Sequence, residues 1–247
     1  MKKLILSIFI VGILLISVLP GCSQETLKVR IATDATWPPF EYVDEATMDI
    51  VGFDIDLIKA IADEAGLDIE IINVAWDPLL AGMAQCQYDA AISAMTITVE
   101  RKEVMLFSNP YFEAGQLVTV QIGNNEIKSK EDLGGKTVGA QIGTTGSFEV
   151  EKIPGAVLKT YDDIGLAMQD LINGQIDAVI SDNPLAMGYT NENSDKLKTV
   201  GAVFTSEYYG ISVCKTKPEL LERINEGLAK VKDEGLIDEL ILKWLAN

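Results

Sequence analysis

The stretch Ala91-Ile-Ser-Ala-Met-Thr-Ile-Thr-Val-Glu-Arg-Lys102 joins the end of an apolar run to the start of a helix through a turn rich in hydroxyl groups. The apolar run, residues 89–94, is typical of a short buried strand. Thr98 and Glu100 indicate a helix start, where a threonine hydroxyl can accept a hydrogen bond from a free backbone N–H. Arg101 then falls in the first helical turn, and a guanidinium there can bind a carboxylate through two parallel hydrogen bonds. The stretch therefore predicts a carboxylate-binding site at the end of a buried strand, with a plain surface charge as the alternative for Arg101.

The same strand-to-turn pattern occurs in both halves of the chain. Residues 88–93 and 176–181 are near copies, with the sequences Tyr-Asp-Ala-Ala-Ile-Ser and Ile-Asp-Ala-Val-Ile-Ser, and residues 29–34 match residues 138–143 as apolar strands that enter a turn. Because the two pairs are offset by different lengths, they do not form a solenoid repeat. They indicate two similar βα units, one in each half.

Helical segments lie between these strands. Helices are predicted over Asp54–Ala65 with an end at Gly66, from a cap at Asp77 with Pro78 in the first turn, from near Ser147, over Asp163–Ile172, and as two amphipathic helices within Pro218–Asn247. The alternation of strands and helices predicts mainly parallel sheets with helices on their faces. In such sheets ligands bind at the carboxyl ends of the strands. Those ends hold Asp34, Ser93, Gly143 and Asp182.

Four segments together resemble the family 3 extracytoplasmic solute-binding proteins, the polar-amino-acid-binding lipoproteins of ABC importers. In chain order they are Ile31–Glu41 (IATDATWPPFE), Gly52–Leu57 (GFDIDL), the Ala91–Lys102 stretch, and Gly143–Gly146 (GTTG) followed by Ile176–Asp182 (IDAVISD). Each segment alone is a weak signal, but four in one order span nearly the whole chain that follows the signal sequence. The chain is accordingly identified as a member of that family.

The resemblance implies a periplasmic-binding-protein-like α/β fold of type II, with two lobes of mainly parallel sheets joined by two hinge strands. The first lobe would contain residues 26–114 and 207–247, and the second would contain residues 115–206. The extended apolar segments Gly115–Ile122 and Phe204–Val213 would be the two hinge strands.

A free α-amino acid presents a carboxylate and an ammonium, and burying both is tolerable only when each has charged or hydrogen-bonding partners. Arg101 is expected to bind the carboxylate, with the hydroxyl of Thr96, the backbone around Ala94 and the amide of Thr145 at a helix start. The resemblance implies that Asp182 binds the ammonium together with the Ala94 carbonyl. A turn or helix-cap role is the alternative for Asp182.

The side-chain pocket is expected to be formed by Asp34, Trp37 and Trp76, since the resemblance implies aromatic walls at the two tryptophan positions. Two indoles beside a carboxylate suit a planar polar or cationic group, through stacking and cation–π attraction of about 0.5–2 kcal/mol. Arginine is therefore the favoured ligand, with glutamine or lysine next. Glu41 and Gln141 are further candidates for tuning that choice.

The N-terminus predicts an exported lipoprotein. Met1-Lys-Lys precedes an apolar run from Leu4 to Leu19, and Leu19-Pro-Gly-Cys22 looks like a lipobox. Residues 1–21 would be the signal peptide, and Cys22 would carry the lipid, palmitate included, that anchors the protein on the extracytoplasmic side of the cell membrane. An uncleaved membrane anchor is the alternative, because the run is only slightly shorter than a membrane span.

Composition narrows the possible functions. The chain has 20 basic and 37 acidic residues, and removal of residues 1–21 would take away two lysines and no acids, leaving 18 − 37 = −19. This charge disfavours nucleic-acid binding. The chain has no histidine, which excludes Ser-His-Asp hydrolysis and histidine-based metal sites. Cys86 and Cys214 remain as a possible disulfide or as two free thiols.

The leading hypothesis is a receptor, not an enzyme, that closes on an amino acid by hinge motion and presents it to a membrane permease. It would need no cofactor and no metal, and it would act as a monomer. Two alternatives remain: a dehydratase-type enzyme on the same scaffold, which would need a buried acid without an ammonium partner, and a ligand-sensing domain for a separate signalling protein.

Overall fold

Two five-stranded sheets organise residues 28–246, the part of the chain that the computed structural model describes. The predicted signal peptide and Cys22 lie outside the described residues. The strands are, in chain order, β1 (Val29–Thr33), β2 (Thr36–Trp37), β3 (Glu41–Val43), β4 (Ile50–Val51), β5 (Ile69–Asn73), β6 (Ala90–Ala91), β7 (Met105–Phe107), β8 (Phe112–Ala114), β9 (Gln116–Gln121), β10 (Thr137–Gln141), β11 (Val157–Tyr161), β12 (Ala178–Asp182), β13 (Leu197–Val200), β14 (Glu207–Tyr209) and β15 (Ser212–Cys214). The α-helices are α1 (Phe53–Ala65), α2 (Trp76–Ala84), α3 (Val99–Val104), α4 (Thr145–Glu151), α5 (Ile164–Ile172), α6 (Asn183–Glu192), α7 (Pro218–Asp233) and α8 (Leu236–Trp244), and a short 3-10 helix covers Lys130–Leu133. Within residues 28–246, no helix is long and apolar enough to cross a bilayer.

The first sheet has the strand order β5-β1-β6-β15-β7. Its first three strands are parallel, and β15 runs antiparallel to both of its neighbours. Helix α1 packs against α7 and α8, which brings the C-terminal segment back to this sheet. Ile31, Leu57 and Ile224 are fully buried there, as expected for strands and helices that share one apolar core.

The second sheet has the order β11-β10-β12-β9-β13, again with three parallel strands and an antiparallel strand beside them. Its core is formed by small and β-branched side chains such as Val120, Val138 and Ala178. The near-copy segments occupy equivalent places, since β6 pairs with β1 and β12 pairs with β10, both in parallel. The two-lobed α/β fold expected from the sequence is confirmed.

Strands β8 and β14 connect the two sheets and pair with each other antiparallel. The expected hinge segment 115–122 is mostly β9, a full member of the second sheet, so the crossing strand lies just before it. A continuous apolar run has the same pattern in a hinge strand as in a strand buried on both faces, which explains the shift. The other expected segment, 204–213, contains β14 and the start of β15.

Helix ends follow the predicted signals in most places. The hydroxyl of Thr98 caps α3 by accepting a hydrogen bond from the Arg101 amide at 3.1 Å, and α1 ends at Gly66 in the left-handed conformation. The predicted cap at Asp77 is wrong: α2 begins at Trp76, and Asp77 lies in the first turn. A carboxylate there still suits the positive end of the helix. Likewise, α4 begins at Thr145 with Thr144 as its cap, slightly before Ser147.

Cys86 and Cys214 form a disulfide with a Cα–Cα distance of 5.0 Å. It links the segment after α2 to β15, which is 128 residues away in sequence. Both positions belong to the first lobe, so the bond joins its N-terminal and C-terminal parts. The alternative of two free thiols is thereby resolved in favour of the disulfide.

Candidate functional site

A small cavity lies between the two lobes. All eight residues predicted for the site line it: Asp34, Trp37, Trp76, Ala94, Thr96, Arg101, Thr145 and Asp182. Four further residues complete the lining: Glu41, Ser93, Gln141 and Thr144. The lining residues come from strand ends and helix starts of both lobes, where the fold leaves backbone and side-chain polar groups free to face a ligand.

Arg101 is buried at 8% exposure in the first turn of α3. Its guanidinium donates from Nη1 to the Thr96 carbonyl at 2.7 Å and from Nη2 to the Gly143 carbonyl at 3.1 Å, and its Cζ lies 5.1 Å from the ring centroid of Trp76. Among residues 28–246, no carboxylate oxygen lies within 4 Å of it. Burial lowers the pKa of Arg101 to about 10, although the negative charges of Asp182 and Glu207 act to raise it. A buried guanidinium in this setting would be stabilised by an anion with two oxygen atoms.

Asp182 faces the same cavity from the end of β12. Its Oδ1 accepts a hydrogen bond from Gln116 Nε2 at 2.6 Å, and its Oδ2 accepts one from the Tyr209 hydroxyl. Burial, followed by the charge of Glu207, raises the pKa of Asp182 to about 7, although Tyr209, Gln116 and Arg101 act in the opposite direction. A cationic group beside this carboxylate would favour its ionised form.

Asp34 lines the same cavity, together with the indoles of Trp37 and Trp76. Its carboxylate accepts hydrogen bonds from Thr36 Oγ1 at 3.0 Å and from Gln141 Nε2 at 2.9 Å. Burial raises the pKa of Asp34 above its usual value. The indoles of Trp37 and Trp76 are almost completely buried, and within residues 28–246 neither indole N–H has a hydrogen-bond partner. This part of the lining combines aromatic faces with one carboxylate.

Glu41 is one of the two residues predicted to adjust ligand specificity, and it lies in the wall of the cavity. It is fully buried, and its Oε1 accepts a hydrogen bond from Ser93 Oγ at 3.0 Å. Ser93 Oγ in turn accepts the Asp34 amide at 2.9 Å. Burial and the neighbouring Asp54 raise the pKa of Glu41 well above its usual value. Gln141, the other candidate, bonds to Asp34 across the cleft.

The two lobes are closed on each other around the cavity. Gln141 of the second lobe bonds to Asp34 of the first, and Arg101 bonds to the carbonyl of Gly143. Gly143 has a φ of 69°, a left-handed conformation that glycine adopts readily. Two hydrogen bonds therefore join the lobes beside the cavity.

Glu207 is a site residue that the sequence reasoning missed. It lies on the connecting strand β14 at 8% exposure. Its Oε2 accepts hydrogen bonds from Thr96 Oγ1 of the first lobe and from Thr145 Oγ1 of the second, both at 2.8 Å, and its Oε1 accepts one from Thr205 Oγ1 at 2.8 Å. An isolated acid in an extended apolar segment was the only sequence signal for it.

Comparison with known proteins gives consistent matches. Residues 29–247 match the model of the bacterial extracellular solute-binding proteins, family 3. The ABC transporter arginine-binding protein 1 of Escherichia coli K12 is 33% identical over 99% of this chain and 99% of its own length. An ancestral arginine-binding protein solved with arginine bound has a TM-score of 0.84 and 43% identity, covering 88% of this chain and 97% of that one. The arginine-, lysine-, histidine-binding protein ArtJ of Geobacillus stearothermophilus has a TM-score of 0.84 and 41% identity, covering 89% and 96%.

Proposed function

The chain belongs to the bacterial extracellular solute-binding proteins of family 3, and we propose that it is the receptor of an ABC importer that closes on an L-amino acid with a cationic or amide side chain, arginine first. It is an amino-acid-binding transport component and not an enzyme. Glutamine and lysine are the next candidates. The relatives named above for arginine, lysine and histidine support this ligand class.

The buried guanidinium of Arg101 carries the proposal. Its two close acceptors are neutral carbonyls, and no carboxylate among residues 28–246 lies within 4 Å. A buried cation is tolerated when it is paired and hydrogen-bonded. The α-carboxylate of an amino acid would provide that partner, with a further hydrogen-bond donor from the backbone amide of Thr145 at the start of α4. Asp182, on the same cavity, would accept the α-ammonium together with the Ala94 carbonyl.

The part of the lining around Asp34 supports the choice of side chain. Asp34 would pair with a guanidinium or ammonium group, and the indoles of Trp37 and Trp76 would pack on its planar faces. A neutral aliphatic side chain would leave the buried Asp34 carboxylate without a charged partner, which is costly. Cationic groups also gain from the aromatic faces.

We place the lobe boundaries at residues 26–114 with 207–247 for the first lobe and at 115–206 for the second, so that hinge motion occurs where β8 and β14 cross. In the importer, the closed form would be recognised by the membrane permease. The protein would act as a monomer, held at the outer face of the cell membrane by a lipid on Cys22 after removal of residues 1–21. The lipoprotein pattern at the N-terminus supports this anchoring.

A thermal-shift screen of the twenty amino acids tests the proposal. A ligand at a hundredfold excess over its dissociation constant stabilises the folded protein by about 2.7 kcal/mol. Arginine should raise the melting temperature most, and Arg101→Ala should lose about 3–5 kcal/mol of binding free energy because the ligand carboxylate has no cation to pair with. Lys102→Ala is the matched control, since Lys102 is an exposed cation on the same helix. Stabilisation only by sugars, peptides or carboxylates without an amino group would contradict the proposal.

A further inference from the structure

Two buried carboxyl groups meet at the wall of the cavity. Glu41 on β3 and Asp54 in the first turn of α1 both have 0% exposure. Glu41 Oε1 accepts a hydrogen bond from Ser93 Oγ at 3.0 Å. Asp54 Oδ2 accepts two, from the Ala94 amide at 2.7 Å and from the Tyr111 hydroxyl at 2.8 Å.

The remaining oxygen of each group has no donor. Within residues 28–246, Glu41 Oε2 and Asp54 Oδ1 are buried and find no N–H or O–H partner. The backbone brings the two side chains together, because the Asp54 amide donates to the carbonyl of Phe40, the neighbour of Glu41, at 2.9 Å, and the two acids accept hydrogen bonds from the consecutive residues Ser93 and Ala94. Two ionised carboxylates can only accept hydrogen bonds, whereas one protonated and one ionised carboxylate satisfy both oxygens with a single proton.

The charges around the pair also favour one proton. Asp34 faces Glu41 from the end of β1 and adds a further negative charge. Ser93 and Tyr111 are uncharged donors, and among the described residues no lysine or arginine nitrogen lies within 4 Å of either acid. Arg101 lines the same cavity but bonds to carbonyl groups. Two like charges side by side in a buried site cannot both form without a large cost in free energy.

Asp54 is the better site for the negative charge. It accepts two hydrogen bonds where Glu41 accepts one, and it lies in the first turn of a 13-residue helix, where the helix dipole favours an anion. We propose that Glu41 and Asp54 share one proton at neutral pH, carried by Glu41 and donated to Asp54, so that Glu41 faces the ligand as an uncharged acid.

The consequence for specificity rests on the proposed function. With Glu41 neutral, Asp34 is the ionised carboxylate that meets the ligand side chain, and this matches one guanidinium or ammonium group. Loss of the Glu41 proton at alkaline pH adds a second negative charge there. Cationic amino acids then bind more tightly relative to neutral ones, and Glu41 is the residue that controls this ratio.

Infrared spectroscopy of the ligand-free full-length protein tests the shared proton directly. At pH 8, where Asp182 with its pKa of about 7 is mostly ionised, the wild type should show the C=O stretch of a protonated carboxyl group. Glu41→Gln and Asp54→Asn should each remove this band, and Asp182→Asn should keep it. The wild-type band should disappear as the pH is raised further. A wild-type spectrum without the band, or a band that persists in a folded Glu41→Gln protein, would overturn the proposal.

Calorimetry tests the consequence for the ligand. The ratio of arginine to glutamine affinity removes effects common to both ligands, such as titration of the α-amino group. In the wild type this ratio should rise about tenfold over the pH interval in which the infrared band disappears, because one charge is added near the cation. In Glu41→Gln the ratio should not rise. An equal pH dependence in both proteins would overturn the role of Glu41, whereas binding of neither amino acid would refute the proposed function and leave the infrared result standing.

Discussion

At the scale of single residues, the cavity separates two tasks. In the proposed function, Arg101 and Asp182 would bind the groups that every α-amino acid shares, whereas Asp34 would bind the part that differs. All three are nearly completely buried, at 8%, 4% and 3% exposure. A charged group in such a setting is stable only with a partner of opposite charge or strong hydrogen bonds. Affinity and selectivity should therefore respond to different substitutions.

Asp34→Asn should weaken arginine binding much more than glutamine binding, because only arginine loses a charged partner. The loss for arginine should be about 2–3 kcal/mol, the scale for a buried charged group left without its partner, as measured by titration calorimetry. Asp77→Asn is the matched control, since Asp77 is an exposed acid in the first turn of α2. Equal losses for both ligands, or tight binding of leucine by the wild type, would show that Asp34 does not select the side chain.

All eight predicted residues line the cavity: local strand-end and helix-start patterns marked residues such as Arg101, whereas the family resemblance supplied the two tryptophan positions. Arg101 follows the Thr98 cap, and Asp182 follows the copied strand. The roles of Glu41 and Asp54 could not be predicted in this way. Asp54 accepts a hydrogen bond from Ala94, 40 residues away, and Glu41 accepts one from Ser93, 52 residues away. Such contacts depend on the assembled lobe and leave no local pattern.

At the scale of elements, β14 is both a connection between the lobes and a part of the site. Glu207 accepts a hydrogen bond from one threonine of each lobe. These two bonds can form together only when the lobes are closed, since Thr96 and Thr145 lie on opposite sides of the cavity. The connecting strand thus bonds to both lobes in the closed form.

Glu207→Ala should reduce amino-acid affinity by shifting the protein towards the open form, since the bonds that Oε2 accepts from Thr96 and Thr145 are both lost, at a net cost of about 0.5–1.5 kcal/mol each. Small-angle scattering with saturating and with limiting ligand would report the closed fraction. Glu113→Ala is the matched control, because Glu113 is an exposed acid on the paired strand β8, opposite Tyr208. Unchanged affinity and an unchanged closed fraction would rule out a role in closure.

The disulfide should matter for stability and much less for binding. It closes a loop of 128 residues that includes the second lobe, and neither cysteine lines the cavity. The double substitution Cys86→Ala with Cys214→Ala should lower the free energy of unfolding by about 2–5 kcal/mol, as measured by urea denaturation. Arginine affinity at a temperature where the variant is folded provides the control. A large loss of affinity without loss of stability would contradict this separation.

Sequence patterns predicted most helices and strands correctly, but they placed one of the two strands that connect the lobes a few residues too late. The helix over Asp54–Ala65 is marked by apolar spacing and by Gly66, and both signals are local. The apolar run of β9 gave no sign of whether it crosses between lobes or pairs within a sheet, because its neighbours β12 and β13 are distant in sequence. Pairing partners decide such cases, and they are set by the whole fold.

At the scale of the whole molecule, the buried acids of both lobes set how stability depends on pH. Burial raises the pKa values of Asp34, Glu41, Asp54 and Asp182 in the folded protein. Asp44 and Asp170 have lowered pKa values, so their ionised forms stabilise the folded protein. This stabilisation is lost only below about pH 4, in the ordinary carboxylate range. Between pH 5 and pH 8 the raised group of acids therefore dominates the change in proton binding by carboxylates.

The ligand-free protein should lose stability as the pH rises from 5 to 8. In this interval the folded state holds protons on the buried acids that the unfolded state has already released, so the slope of the unfolding free energy against pH is negative, at about 1.4 kcal/mol per pH unit for each such proton. Urea denaturation at constant ionic strength would measure this slope. The net charge of −17 also makes the folded protein more stable at lower pH, because self-repulsion is then weaker. The control is therefore the double variant Glu41→Gln with Asp54→Asn, which keeps the surface charges and should show a clearly shallower slope.

Saturating arginine should stabilise the wild type more at pH 8 than at pH 5, since a bound cation favours the ionised acids. A profile that is flat or rises with pH would show that the buried acids are ionised in the folded protein throughout this range, whereas an unchanged slope in the double variant would show this for Glu41 and Asp54.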